Sequence, residues 1–151
     1  INRKEGIPPM NKFRVLFICG HNSGRSQIAE ALLNDIAGDR IHVESAGLEP
    51  KPVNSLVVEV MQEIGFDLSK AKSDSVFDFF KEGRLYDYLI TVCDETAAGQ
   101  CPVFPGITKR FHWPFMDPEA LTGNHGEKLA ALREIREQIR QKVSDWAKTV
   151  L

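Results

Sequence analysis

The sequence predicts an α/β protein: one domain on an open, mostly parallel sheet covered by helices on both faces, with right-handed crossovers. Three observations lead there. Strand-like and helix-like segments alternate along the chain. Phe13 to Cys19 is a nearly continuous apolar run, the pattern of a strand buried on both faces of a parallel sheet. A length of 151 residues suits one domain of common size with its own core. The formal charge is −2, and no dense Lys/Arg stripe interleaved with aromatics occurs, so no nucleic-acid partner is expected. No apolar run approaches the roughly 20 residues of a membrane span, and the first ten residues lack a signal-like core. A cytoplasmic protein with no membrane partner is the expectation, and a monomer. Ile1 to Pro9 shows no periodicity and Met10 is a natural start, so residues 1–10 are read as an extension and 11–151 as the domain.

After the first strand, Ile28, Leu32, Leu33 and Ile36 give a helix running to about Gly38, a residue suited to a left-handed stop. Ile41 to Gly47 alternates as a shorter strand. Pro50 and Pro52 mark a loop before a helix over roughly Asn54 to Ile64, with Gly65 beyond. Ser73 or Asp74 can cap a helix carrying Val76, Phe77, Phe79 and Phe80, ended by Gly83. Tyr86 to Cys93 reads as another buried strand, residues 94–106 as loop, and Ile107 to His112 as a last strand. From Glu127, the positions Leu129, Leu132, Ile135, Ile139, Val143 and Trp146 recur at threes and fours, the stripe of a long terminal helix.

The chemistry concentrates in Cys19-Gly-His-Asn-Ser-Gly-Arg25-Ser26, between the first strand and the first helix. Gly20 and Gly24 permit positive φ, so the backbone of Gly20, His21, Asn22, Ser23 and Gly24 can curl its N–H groups into a concave nest. The helix starting near Ser26 aims its positive end at the same point. A tetrahedral oxyanion fits there. Arg25 offers a planar fork to two of its oxygens, and nest, dipole and guanidinium favour the thiolate of Cys19, a candidate nucleophile.

Ligands of such sheets bind beyond the carboxyl ends of the strands, which places Cys19 and Cys93 on one rim. With three cysteines in a reducing compartment, a structural disulfide framework is not expected. Cys93 and Cys101 are read as redox partners for Cys19 rather than as buried hydrophobes. A helix between them would hold them about 12 Å apart, beyond the roughly 7 Å limit for a disulfide, so a bridge would need loop or unwound backbone. Their spacing to His112 is not that of a zinc finger or ribbon. Asp117, before Pro118, is either a proton donor presented from a loop or an ordinary helix cap. His21 lies within the loop, and His42 is read as a strand residue facing water.

Taken together, the 19–26 motif, Ser45-Ala-Gly47, Cys93-Asp-Glu, Cys101-Pro-Val-Phe-Pro105 and Trp113 to Pro118 resemble the thioredoxin-coupled arsenate reductases of the low-molecular-weight tyrosine phosphatase superfamily. The resemblance runs from about Phe13 to the terminal helix. It implies a flavodoxin-like, four-stranded parallel sheet with helices on both faces, and an arsenic-detoxifying oxidoreductase. Cys19 would attack arsenate held by the loop and Arg25, with Asp117 as proton donor; Cys93 would then attack Cys19, and Cys101 would attack Cys93, leaving a Cys93–Cys101 disulfide for thioredoxin. Asn22 and Ser26 match residues that hold the loop and hydrogen-bond the nucleophile. Phosphate is implied as a competing anion, and no tightly bound cofactor. Some members bind potassium beside the loop, where Asn22, Glu30, Ser45 and Asp74 stand here, but capping and solvation account for these residues equally, and no metal is assigned. Where many members carry a further cysteine in the loop, this chain has Gly24. Glu119-Ala120 replaces the aromatic residues that follow Asp-Pro in the phosphatases, which weakens the alternative of an aryl phosphatase. A non-catalytic oxyanion sensor is the remaining alternative.

Overall fold

The computed structural model describes residues 12–93, 101–106 and 108–151. The expected extension, residues 1–10, the whole Cys93–Cys101 connection and Ile107, the expected start of the last strand, lie outside them. Four strands, β1 (Phe13–Cys19), β2 (Ile41–Gly47), β3 (Tyr88–Thr91) and β4 (Lys109–His112), form one sheet in the order β2-β1-β3-β4. All three pairings are parallel. The helices are α1 (Arg25–Ala37), α2 (Ser55–Gln62), α3 (Val76–Lys81) and α4 (His125–Val150), with a 3₁₀ turn at Pro118–Ala120. This is the flavodoxin-like α/β arrangement.

Strand alternation divides the core in two. Val15, Phe17 and Cys19 of β1 point into a cluster with α1, α2 and α4, among them Ile28, Leu32, Val60, Leu132, Ile139 and Trp146. Leu16 and Ile18 point the other way, onto Val76 and Phe79 of α3, Tyr86 and Phe104. The continuous apolar run of β1 is thus explained by two covered faces. Because β1 is joined to β2 on one side and β3 on the other, a crevice opens where the chain switches direction at their carboxyl ends. Cys19 is the last residue of β1 and Cys93 lies two residues past β3.

Several local expectations are corrected. Gly38 has φ −61 and is not left-handed. Its missing side chain matters because a Cβ would sit 2.4 Å from the Asn34 carbonyl oxygen. Ile36 faces solvent, 40% exposed, and is not part of the α1 stripe. The cap of α3 is Ser75, whose hydroxyl accepts from Phe77 N, not Ser73 or Asp74. His42 is half-buried, with its ring 3.6 Å from the Glu44 carboxylate, rather than facing water. The terminal helix begins two residues earlier than Glu127, closed by a capping box between Asn124 and Glu127.

Candidate active site

Cys19 is 2% exposed, and its sulfur lies 2.9 Å from Ser26 Oγ and 3.1 Å from the backbone N–H of Asn22. Asn22 holds this arrangement together. Its φ of 53 places it in the left-handed region, so the tight bend of the loop falls on Asn22 and not, as expected, on Gly20 or Gly24. Asparagine tolerates that conformation better than most residues because its short polar side chain can bond locally. Asn22 Nδ2 donates to Ser26 Oγ at 2.7 Å and to Ser45 Oγ at 2.9 Å. The Ser26 oxygen accepts from Asn22 and keeps its own O–H free to turn toward the Cys19 sulfur. The Asn22 carbonyl accepts from Gln27 Nε2 at 3.1 Å and from Ser73 Oγ at 2.9 Å, and its Oδ1 accepts from Asp74 N at 2.9 Å.

The glycines serve close approach. Gly47 is paired with Cys19 across the sheet, and a Cβ on it would lie 2.6 Å from Asn22 N. A Cβ on Gly24 would lie 3.2 Å from Pro118 Cγ. The segment after β2 is strapped to the loop by Glu49 N to Gly20 O, Lys51 N to His21 O and Asn54 N to Ser23 O, at 2.8, 3.0 and 2.8 Å.

Arg25 opens α1 and is 8% exposed, its Nη1 donating to Phe115 O at 3.0 Å and its Nη2 3.8 Å from Asp117 Oδ2. Asp117 is a cap, as one of its two readings had it, and it also lines the pocket beside Arg25. Oδ1 caps the 3₁₀ turn by accepting from Glu119 N at 2.9 Å, while Oδ2 faces the guanidinium. A narrow pocket results, lined by Cys19, His21, Ser23, Gly24, Arg25 and Asp117 together with Asn54, Pro118 and Glu119. Of the expected anion-loop residues, Gly20, Asn22 and Ser26 are outside this lining; the last two act on the sulfur from behind. His21 Nδ1 lies 2.9 Å from Glu49 O, which holds its ring at the rim.

Cys93 is 1% exposed and shares the core cluster of Cys19, whereas Cys101 is half-buried against the opposite cluster. All three cysteines are free thiols. Burial, foremost, pushes the Cys93 thiol up to about 11; the neighbouring Cys19 and Cys101 add to this, and Arg25 opposes it. Burial also raises Cys101, against the charge of Arg110. Behind the loop, Ser45 donates to Glu30, whose carboxyl burial pushes up to about 7; the Ser45 bond opposes this, and Glu44 and Asp74 add like charge. Among the described residues, no group of three or more His, Cys, Asp and Glu side chains is arranged to hold a metal ion, and no helix is long and apolar enough to cross a membrane.

Sequence reasoning missed Gln27, Ser73, Gly47 and Asn54 as loop supports. For Ser73, Gly47 and Asn54 the partners lie far along the chain, so no local pattern marks them; Gln27 reaches both Asn22, five residues back, and the distant Lys72 O.

Residues 14–151 match the family model described as low molecular weight phosphotyrosine protein phosphatase. The chain is 38% identical to an arsenate reductase of Halalkalibacterium halodurans, over 93% of this chain and 99% of that protein. A structure titled as an arsenate reductase in the phosphate binding state superposes with TM-score 0.71 at 28% identity, covering 92% of this chain and 99% of that one. The thioredoxin-dependent arsenate reductase of Corynebacterium glutamicum superposes at 0.72 with 32% identity, covering 96% of this chain and 65% of that one. With a cysteine-and-arginine anion loop at the head of this sheet and relatives that match it almost end to end, the chain belongs to the low molecular weight phosphotyrosine protein phosphatase family.

Proposed function

We propose that this protein reduces arsenate to arsenite by a three-cysteine relay, with thioredoxin returning the enzyme to its dithiol state. The observation that carries this reading is the placement of Cys19 and Cys93 in one core cluster at the carboxyl ends of adjacent strands, with Cys19 cradled by loop donors and lining one pocket with Arg25. The arsenate reductases among its relatives support the substrate. Gly20, His21, Asn22, Ser23, Gly24, Arg25 and Ser26 form the oxyanion loop.

The Cys19 thiolate attacks arsenic, and one arsenate oxygen leaves as water with a proton from Asp117. Cys93 then attacks the Cys19 sulfur. The sulfur–arsenic bond breaks with its electron pair staying on arsenic, so arsenic(V) becomes arsenic(III) and two thiols become a Cys19–Cys93 disulfide. Cys101 attacks Cys93, frees Cys19 and leaves a Cys93–Cys101 disulfide, which a thioredoxin dithiol reduces. Burial keeps Cys93 protonated at neutral pH, so it must lose its proton as the adduct forms; Arg25 is the charge that favours this.

The test is arsenate turnover coupled to thioredoxin, thioredoxin reductase and NADPH. Cys19→Ser, Cys93→Ser and Cys101→Ser are each expected to abolish turnover. Mass mapping of the oxidised product is expected to find Cys93 joined to Cys101 with Cys19 free. Retained arsenite production in Cys93→Ser would overturn the relay. Aryl phosphate hydrolysis alone, surviving loss of both Cys93 and Cys101, would instead identify a phosphatase that needs Cys19, Arg25 and Asp117.

A further inference from the structure

The Asn54 side-chain amide donates to the Glu119 carboxylate across the mouth of the Cys19 pocket. Asn54 precedes α2 and Glu119 lies on the 3₁₀ turn, 65 positions on. Both posts are fixed independently of the bond between them. Asn54 Oδ1 caps α2 by accepting from Leu56 N at 2.8 Å, and its backbone N–H is tied to Ser23 O. The turn carrying Glu119 is held by its Asp117 cap and by Pro118 packing on Gly24.

Outside this bond lies a second, much wider cleft, open to solvent. It shares His21, Ser23, Asn54, Asp117 and Glu119 with the inner pocket. The Asn54–Glu119 pair therefore stands as a partition between a small chamber over the sulfur and a wide vestibule. No Phe, Tyr or Trp is among the residues lining either space.

A free tetrahedral oxyanion held by the loop carries no group outward from the sulfur. An ester of the same anion must pass its organic group through the plane that the pair occupies, with no aromatic surface to grip it and a carboxylate beside it. We propose that Asn54 and Glu119 form a selectivity clasp that admits free inorganic oxyanions to Cys19 and excludes organic phosphate and phosphonate groups. This rests on reading the pocket as an oxyanion site and adds what that site refuses.

Protection of Cys19 from iodoacetamide, read by peptide mass mapping, tests it without turnover. In the native protein, inorganic phosphate is expected to protect at concentrations at least about tenfold lower than phenylphosphonate, a ratio within what one steric wall commonly yields. Glu119→Ala and Asn54→Asp should each bring that ratio toward one, although the first removes a negative charge and the second adds one. Asn54→Asp keeps the oxygen that caps α2, so its effect is separable from loss of the helix start. Glu119→Gln, which retains an acceptor, should keep the native ratio. If phosphate protects but the ratio is unmoved in both clasp variants, the clasp is refuted and the oxyanion pocket stands. If phosphate gives the native protein no protection, the pocket reading fails and the clasp with it.

Discussion

Cys19 and Cys93 stand at the ends of adjacent parallel strands, equally hidden from water, and are surrounded differently. The Cys19 sulfur meets a backbone N–H and a serine hydroxyl. Cys93 is dominated by burial, which lifts its thiol to about 11 despite Arg25. Depth in the fold is thus no guide to reactivity. The donors aimed at the sulfur separate a cysteine prepared to attack from one that waits.

This contrast can be broken most visibly by pH. A thiol raised to about 11 is protonated at neutral pH, and its reactive fraction grows about tenfold per unit until that value is passed. Single-turnover arsenite release from enzyme preloaded with arsenate is therefore expected to rise with pH above neutrality, by up to about tenfold per unit. A profile flat above pH 8 would mean that Cys93 reacts as an already ionised group.

Asn22→Ala attacks the other side of the contrast. It removes the donors that orient Ser26 and Ser45 and leaves alanine in a left-handed conformation. Roughly a hundredfold loss of turnover is expected, with a urea midpoint reporting about 2–4 kcal/mol of destabilisation. Cys93 reactivity toward a neutral alkylating agent should change little if the two environments are independent.

The smallest effect belongs to Gly24→Ala, whose new methyl would press on Pro118 at 3.2 Å and displace the turn that carries Asp117. A severalfold fall in turnover is expected, below the roughly hundredfold that a 1 Å misplacement can cost. Stability should move by less than about 1 kcal/mol. No change in turnover would show that Asp117 needs no exact placement.

Much of this was readable from the chain. The apolar run ending at Cys19, the loop, Arg25 and the amphipathic stripes of α1 and α4 all announce themselves locally. What was not readable acts at a distance. Ser73 and Asp74 look like caps for α3, but the Ser73 hydroxyl is bonded to Asn22 O and Lys51 O, and the Asp74 backbone receives Gly47 N and reaches Asn22 Oδ1. Both are occupied by the anion loop, and the cap passes to Ser75. The left-handed bend went to Asn22 for a related reason. A local rule favours glycine there, but Gly24 is needed where Pro118 packs, and the asparagine side chain secures four partners in its position.

The bracing of the loop by Gln27, Ser45, Ser73 and Asp74 bears on how small a guest it can hold. A five-atom oxyanion can yield at best about 1.5 kcal/mol per atom, while freezing a floppy stretch of backbone costs about 1–2 kcal/mol per residue. Had the arriving ion been required to mould its own cradle, nearly all its binding energy would have gone into that task. A nest finished in advance by its scaffold leaves the energy for grip.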